Sequence, residues 1–282
     1  MHTSERGFTL IELVVSITLS AILMATVALM MGAPVQTYLD QSRRNELVDA
    51  SNRISRTLAI DLQKALPNSV RIDDFGSTKV VQMIEVRDVL YYRDEPPADT
   101  GLPIADQELR FSSPDDKFFA YGAFTADPSL LVLGSNGNEA YGNGDVMTSV
   151  ATPGATTLGA HSVTLSPAFQ FANGPSPTNR LFAIKGPITY ICNLNTGRVT
   201  RFTDHARDLT MPVDETAPQL NSAGTQSSVV ASGVTACSVQ CSLPAGNPCQ
   251  RTLTFATTVT RGTAPDSDSI RVMQQYPVEN TP

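Results

Sequence analysis

The sequence predicts an α+β protein in which a long hydrophobic N-terminal helix packs on an antiparallel, β-rich globular domain. Three observations predict this class: an apolar run of 26 residues near the N-terminus, a helical stripe of apolar residues after it, and short apolar or alternating runs separated by turns in the rest of the chain. The 282 residues allow one large domain or two modest ones, and no change of composition marks a second.

The apolar run extends from Phe8 to Ala33 and contains a single charged residue, Glu12. As a helix it would rise about 39 Å, which exceeds a bilayer core of about 30 Å. It is also longer than the apolar core of a secretory signal peptide, which has about 7 to 15 residues. We therefore expect residues 8–33 to contact membrane lipid. We also expect Glu12 to have a partner or a function, because a carboxylate inside a bilayer costs about 2.5 to 3.5 kcal/mol.

An amphipathic pattern follows the apolar run. Its apolar residues recur every three or four positions and form one stripe of a helix, Leu47, Ala50, Ile54, Leu58, Leu62 and Leu66. The charged residues occupy other faces, Arg44, Asp49, Arg53, Arg56, Asp61 and Lys64. Pro67 ends the pattern, so the simplest interpretation is one helix over about residues 8–66, whose second half docks on a globular domain. A free coiled coil is the alternative, but such a stripe is more typical of a helix that packs on a sheet.

Residues 67–282 have the pattern of a β-rich domain. Short apolar or alternating runs predict strands, for example at 80–86, 130–133, 181–185, 188–192, 199–202, 253–259 and 270–276. In the sixth run, alternate residues share one face and indicate a half-buried strand, Leu253, Phe255, Thr257 and Val259. Residues 193–197 are typical of a hairpin loop. Two stretches, 94–106 and 203–228, are predicted to be irregular.

Composition and motifs argue against a nucleic-acid-binding protein and against an enzyme. The formal net charge is -7, so no basic surface is expected for phosphates. Of the three histidines, His161 and His205 have no motif partner, and the usual hydrolase, nucleotide-binding and zinc-protease motifs are absent from the sequence. The Gly-rich segment 134–145 is rich in oxygen ligands but lacks the spacing of a calcium loop, so a turn is favoured. No catalytic residue, metal or cofactor is predicted.

The N-terminus has a more specific pattern, Arg6-Gly7-Phe8-Thr9-Leu10-Ile11-Glu12-Leu13. It resembles the type IV prepilin signature, which pilins share with the pseudopilins of type II secretion. The resemblance implies a pilin-like fold, a leader peptide of residues 1–7, cleavage by prepilin peptidase between Gly7 and Phe8, and N-methylation of the new Phe8 amine. It also implies that Glu12 pairs with the N-terminal amine of a neighbouring subunit. A plain signal anchor is the alternative interpretation.

The resemblance also gives the chain an orientation, which the charges beside the apolar run do not. The leader would face the cytoplasm, and residues 67–282 would form the periplasmic domain of a single-pass inner-membrane protein. Disulfides persist in that compartment, and the four cysteines allow three pairings, of which Cys192–Cys237 with Cys241–Cys249 is preferred. A tetrathiolate zinc site is the alternative, but the cysteines lack the closely spaced pairs of such sites.

A finer resemblance is scattered over most of the chain. The segments that carry it are PVQTYLD (34–40), SRR (42–44), DL (61–62), ALPNSVR (65–71), EAYGNGD (139–145) and GPITYIC (186–192), with Gly197, Arg201 and the later cysteines. They resemble the MshO family of minor pilins from the mannose-sensitive haemagglutinin (MSHA) pilus. Part of the pattern is shared with pseudopilin J of type II secretion.

This resemblance implies a structural role in type IV pilus assembly. Minor pilins associate in the inner membrane through their apolar helices and start a filament, beneath which the assembly platform adds major pilin subunits. The subunit at the tip of such a filament typically lacks the acid at this position, so Glu12 implies a place below the tip. A pseudopilin of type II secretion and a pilus-borne adhesin are the alternatives.

Overall fold

The structure is a computed structural model that describes residues 9–93, 108–122, 130–134, 138–142, 146–147, 150–155, 160–172, 174–242, 249, 251–262 and 267–278. In these residues the chain forms one α-helix, thirteen β-strands and two short 3-10 helices. The predicted class, an α+β protein with an apolar N-terminal helix and a large antiparallel sheet, is confirmed.

The helix α1 extends over Leu10–Gln63, 54 residues, and is about 81 Å long at 1.5 Å per residue. After Gln63 the Lys64 backbone N–H donates to the carbonyls of Asp61 and Leu62. The helix ends before the expected position near residue 66 because the next residues pair with a strand instead. The Leu66 N–H donates to the Ile84 carbonyl at 2.8 Å.

Ten strands form one antiparallel sheet, called the large sheet below. They are β1 (Arg71–Asp74), β2 (Thr78–Tyr92), β3 (Asp115–Tyr121), β4 (Leu130–Val132), β5 (Val146–Met147), β6 (Val150–Ala155), β7 (Ala160–Phe169), β8 (Arg180–Asn193), β9 (Arg198–Thr203) and β10 (Gln226–Ser232). The order across the sheet is β10-β9-β8-β2-β3-β7-β6, with β1 on β2, β4 on β8, and β5 on β4. The remaining strands form the small sheet, in the order β11 (Val234–Cys241), β12 (Arg251–Arg261) and β13 (Asp268–Val278).

Expected and observed strands differ in β8. The sequence predicts two runs, 181–185 and 188–192, but β8 is continuous through both. Pro187 lies inside the strand, opposite Ile84 of β2. Register shifts in the next residues of β2 mark a bulge, which is where a strand tolerates a residue without an N–H donor.

The half-buried strand predicted near the C-terminus is confirmed as β12. Its inward side chains are buried, Leu253, Phe255, Thr257 and Val259. The residues that alternate with them are partly exposed, except for the small Ala256, which is also buried. The stretch 203–228 is mostly irregular, but it begins with the last residue of β9, contains the 3-10 helix Pro218–Asn221 and ends inside β10, which begins at Gln226. The stretch 94–106 lies outside the described residues.

The second half of α1 lies against both sheets and completes the main core. Within the helix, the predicted stripe is buried, Leu47, Ala50, Ile54, Leu58 and Leu62. It packs with apolar residues of β2, β8 and β10 and with all three strands of the small sheet. Full burial of one such leucine is worth about 1.5 to 3 kcal/mol, so the stripe is a major source of stability. The prediction of a docked helix is confirmed.

A second apolar cluster fills the other end of the large sheet, with Leu90, Phe118 and Phe171 among its buried members. The long strands β2 and β8 contribute to both clusters. The chain crosses from the large to the small sheet at Gly233, which separates β10 from β11 and has a φ of 76°.

Candidate functional site

The first turn of α1 is closed by Thr9 and Glu12. The Glu12 backbone N–H donates to Thr9 Oγ1 at 3.4 Å, and Glu12 Oε2 accepts from the Thr9 backbone N–H at 3.2 Å. This reciprocal arrangement is a capping box, and it places the acid at the positive end of the helix dipole. Both residues are exposed. Gly7 and Phe8, the expected cleavage and methylation positions, lie outside the described residues.

The apolar half of α1 is uncovered within the described part of the chain. Residues Leu10–Met30 form a helix long and apolar enough to cross a membrane, with a mean hydropathy of 2.4 and 0% of the span buried. Leu10 and Leu29 are each 81% exposed. Such a surface needs lipid or other apolar helices around it.

The hydroxyl groups of this span are satisfied by the helix itself. Ser16 Oγ donates to the Glu12 carbonyl at 2.7 Å, and Ser20 Oγ donates to the Ser16 carbonyl at 2.7 Å. Thr18 and Thr26 donate in the same way to carbonyls of the preceding turn. An unsatisfied hydroxyl inside lipid costs free energy, so these bonds make the span compatible with a membrane.

On the docked half of α1, one acidic residue is buried against the large sheet. Asp61 is 5% exposed, so its expected place on a polar face is wrong. Tyr190 of β8 donates to Asp61 Oδ2 at 2.5 Å, and Arg201 of β9 donates through Nε to Oδ2 at 2.6 Å and through Nη2 to Oδ1 at 3.0 Å. These partners explain the burial, because a buried carboxylate needs a charged partner and filled hydrogen bonds.

We call Asp61, Tyr190 and Arg201 the helix anchor, since they tie α1 to two strands of the large sheet. The hydrogen bond to Asp61 raises the pKa of Arg201. Burial, together with the adjacent Asp61 carboxylate, raises the pKa of Tyr190. Both shifts keep the guanidinium charged and the phenol protonated, so the anchor retains its donors at any physiological pH.

A second buried polar group begins at Arg71 of β1. Arg71 donates through Nε and Nη2 to Gln82 Oε1 at 2.8 and 2.6 Å, and through Nη1 and Nη2 to the carbonyls of Leu209 and Asp208. Its guanidinium also stacks on the Tyr141 ring, 3.6 Å from the ring centre. Burial lowers the pKa of Arg71, and these contacts offset the cost of burying the cation.

The hydrogen bonds continue from Gln82 to His205. Gln82 Nε2 donates to Thr189 Oγ1 at 2.9 Å, Thr189 Oγ1 lies 2.8 Å from His205 Nε2, and His205 Nδ1 lies 2.9 Å from the Ala206 carbonyl. A carbonyl only accepts, so Nδ1 carries the proton and Nε2 accepts from the Thr189 hydroxyl. Burial lowers the pKa of His205, which keeps the ring neutral. We call Arg71, Gln82, Thr189 and His205 the polar chain.

The cysteines form two pairs near the junction of the sheets. Cys241 and Cys249 are joined by a disulfide at the end of β11. Cys192 of β8 and Cys237 of β11 are unbridged and buried in the same apolar core. The neighbouring Cys192, with burial, raises the pKa of the Cys237 thiol. The bridge between Cys192 and Cys237 therefore stays a prediction.

The other candidate positions form no ligand site in the described residues. Within the segment 134–145, Asn138–Tyr141 form a 3-10 helix, and the side chain of Tyr141 is buried under Arg71. Residues 135–137 and 143–145 lie outside the described part, as does the side chain of His161. Where the chain is described, no group of three or more His, Cys, Asp or Glu is placed to hold a metal ion.

Sequence patterns do not predict the helix anchor or the polar chain as groups. Periodicity assigns Asp61 to a polar face because it cannot detect a partner 140 residues away. The sequence nevertheless contains a signal for these residues, which is the finer family resemblance. The positions that carry the finer resemblance include all of the helix anchor and half of the polar chain, Arg71 and Thr189.

The comparisons with known proteins agree with the geometry of the N-terminus. Residues 2–28 match the model of the prokaryotic N-terminal methylation motif, which covers the capping box and most of the exposed apolar span. No curated protein and no solved structure matches the chain. The motif implies processing by prepilin peptidase and assembly with other pilins, and together with the membrane-length helix it supports a membrane-anchored structural protein of the pilin type.

Proposed function

We propose that the protein is a minor pilin of the MSHA type, of the MshO family, and that it takes part in the initiation and assembly of a type IV pilus. Prepilin peptidase removes residues 1–7 and methylates the amine of Phe8. The protein has no substrate to turn over. Its activity is to bind other minor pilins and the major pilin in a defined order.

The observation that carries the proposal is the division of α1 into two halves with opposite surroundings. The first half carries the methylation motif and is bare, whereas the second half is buried against both sheets. A bare apolar helix of this length is stable in lipid and also against the apolar helices of other subunits. The same surface therefore suits a subunit that waits in a membrane and then enters a filament.

Glu12 gives the assembly step its specificity. In this chain its carboxylate is exposed and bonds only local groups of the first turn among the described residues. A lone carboxylate in the bilayer costs about 2.5 to 3.5 kcal/mol, and the cationic amine of a neighbouring subunit would remove much of that cost. The pairing favours a staggered arrangement of neighbouring helices, with this subunit below the tip.

The localisation follows from the same arrangement. Before assembly, the protein spans the bacterial inner membrane once, with residues 67–282 in the periplasm. The inner-membrane assembly platform then transfers it into the pilus. The MSHA assignment depends on the finer sequence resemblance, which the type II secretion pseudopilin J shares in part.

Deletion of the gene separates these two assignments. Surface pili are counted by electron microscopy, and secreted enzymes are assayed in the same culture. We expect loss of pili with normal secretion. Intact pili with enzymes retained in the periplasm would replace the proposal with a secretion pseudopilin.

Glu12→Ala tests the pairing acid within the same system. We expect normal cleavage of the leader but few surface pili, because the neighbour's amine loses its partner. Thr9→Ala is the matched control, since it breaks the capping box and keeps the acid. Equal loss of pili in both variants would show that Glu12 acts only as a helix cap, and normal pili in Glu12→Ala would remove the pairing role.

A further inference from the structure

Two buried thiols face each other across the junction of the two sheets. Cys192 lies near the end of β8 in the large sheet, and Cys237 lies in the middle of β11 in the small sheet. The residues are 45 positions apart in the sequence, yet both side chains pack into the same buried cluster and interact there. Cys192 is 1% exposed and Cys237 is 8% exposed, and both belong to the core that α1 covers.

The neighbouring pair shows that disulfide chemistry occurs in this part of the fold. Cys241, at the end of the same strand as Cys237, is bridged to Cys249. Disulfides of this kind are maintained in oxidising compartments. A thiol pair already in contact inside the same core needs little rearrangement to be bridged, because side chains in contact are within the reach of a disulfide.

We propose that Cys192 and Cys237 form a second disulfide, which joins the large sheet to the small sheet beneath α1. The inference rests on the proposed function in one respect, since the pilin topology places this domain in the periplasm. The oxidant is the disulfide of a thiol–disulfide oxidoreductase. One cysteine thiolate attacks that disulfide and forms a mixed disulfide, and the second thiolate displaces the enzyme's sulfur. The two thiols lose two protons and two electrons, and the oxidoreductase leaves as a dithiol.

The bridge forms before the core closes. In the folded chain both sulfur atoms are shielded by α1 and the sheets, and a thiol in such surroundings is a poor nucleophile. The strands β10 and β11 are separated only by Gly233, so the small sheet begins at the edge of the large one. A covalent link between β8 and β11 fixes that crossing and holds both sheets in place for the stripe of α1.

Peptide mapping of the full chain, purified in detergent from membranes, tests the bridge. Free thiols are alkylated in denaturant without reductant, and the protein is then cut with trypsin. Trypsin leaves Cys192 on the peptide 186–198 and the other three cysteines on the peptide 208–251. We expect these two peptides as one linked species that separates on reduction, with fragmentation placing the link at Cys237. In a Cys237→Ser variant, Cys192 should be alkylated.

The outcomes separate this inference from the proposed function. Alkylated Cys192 and Cys237 beside an intact Cys241–Cys249 bridge would overturn the second disulfide and leave the periplasmic placement standing. Alkylation of all four cysteines would overturn both. A link from Cys192 to Cys241 or Cys249 would also overturn the inference, because it would contradict the observed pairing.

Discussion

Asp61→Ala removes the acceptor of the helix anchor and tests whether α1 is held by more than its apolar stripe. Tyr190 and Arg201 lose the three hydrogen bonds that they donate to Asp61. An unsatisfied buried hydroxyl costs about 1 to 3 kcal/mol, and breaking a buried ion pair costs about 3 to 5 kcal/mol in total. The Arg201 side chain is 24% exposed, so water partly solvates the charge that is left. We therefore expect a loss of about 3 kcal/mol, the lower end of the range for a broken buried pair.

Thermal unfolding of the full chain in detergent, followed by circular dichroism, measures this loss. In a domain of this size about 1 kcal/mol shifts the melting temperature by about 2 to 4 °C, so we expect a decrease of about 6 to 12 °C. Asp49→Ala is the matched control, because Asp49 is an exposed acid on the same helix and should cost less than about 0.5 kcal/mol. A double variant, Asp61→Leu with Arg201→Met, should recover part of the loss, since neither charge then remains.

Two results would refute this reasoning. The first is an Asp61→Ala variant that melts at the same temperature as Asp49→Ala, which would mean that the buried ion pair adds nothing to docking. The second is a double variant as unstable as the single one, which would mean that the loss comes from packing rather than from the unpaired Arg201 charge.

Three further predictions concern pH, a glycine and the thiol pair. Burial lowers the pKa of His205, so below about pH 6.5 the unfolded chain binds a proton that the native ring does not bind. The free energy of unfolding should therefore fall with decreasing pH, by up to about 1.4 kcal/mol per pH unit, until the pH passes the pKa of His205 in the folded protein. A urea series should show this slope reduced in His205→Gln, and an unchanged slope would contradict it. Gly233→Ala should destabilise the domain strongly, because its Cβ would lie 1.9 Å from an arginine guanidinium and 2.6 Å from a backbone carbonyl. Gly76→Ala is the control for backbone strain, because Gly76 has a similar positive φ but open space around the Cβ. Equal melting temperatures of the Gly233→Ala and Gly76→Ala variants would contradict the clash. Replacing both Cys192 and Cys237 with alanine should cost about 4 kcal/mol if the bridge closes a 45-residue loop, and a melting temperature equal to that of the wild type would contradict this.

The parts of the fold that depend on local pattern are predictable from the sequence. The stripe from Leu47 to Leu62 follows the helical period, and the buried residues of β12 follow the period of a strand. In each case, one face of a single helix or strand packs against the core. The capping residues Thr9 and Glu12 are likewise three positions apart and within one motif.

The parts that depend on distant partners are not predictable in the same way. Asp61 has the pattern of a solvated residue, and only Arg201 and Tyr190 from the far end of the chain make its burial favourable. β10 is missed because its sequence, QSSVVAS, has only two buried side chains, so hydrogen bonds to β9 define it more than apolar alternation does. The sequence pattern divides β8 into two runs because a proline such as Pro187 usually interrupts a strand. In the structure, a bulge next to Pro187 accommodates the missing N–H donor.

The contact between the last strand, β13, and the helix α1 determines when the fold of a newly synthesised chain can be completed. Tyr276 of β13 donates to the Ser55 carbonyl at 3.3 Å, across 221 residues of sequence. At about 5 to 20 residues per second, the ribosome needs roughly 10 to 40 s to reach Tyr276 after it has made Ser55. During that time the apolar stripe of α1 lacks its full cover. The addition of the final strand therefore decides when a newly made chain has a covered core and is protected from proteases.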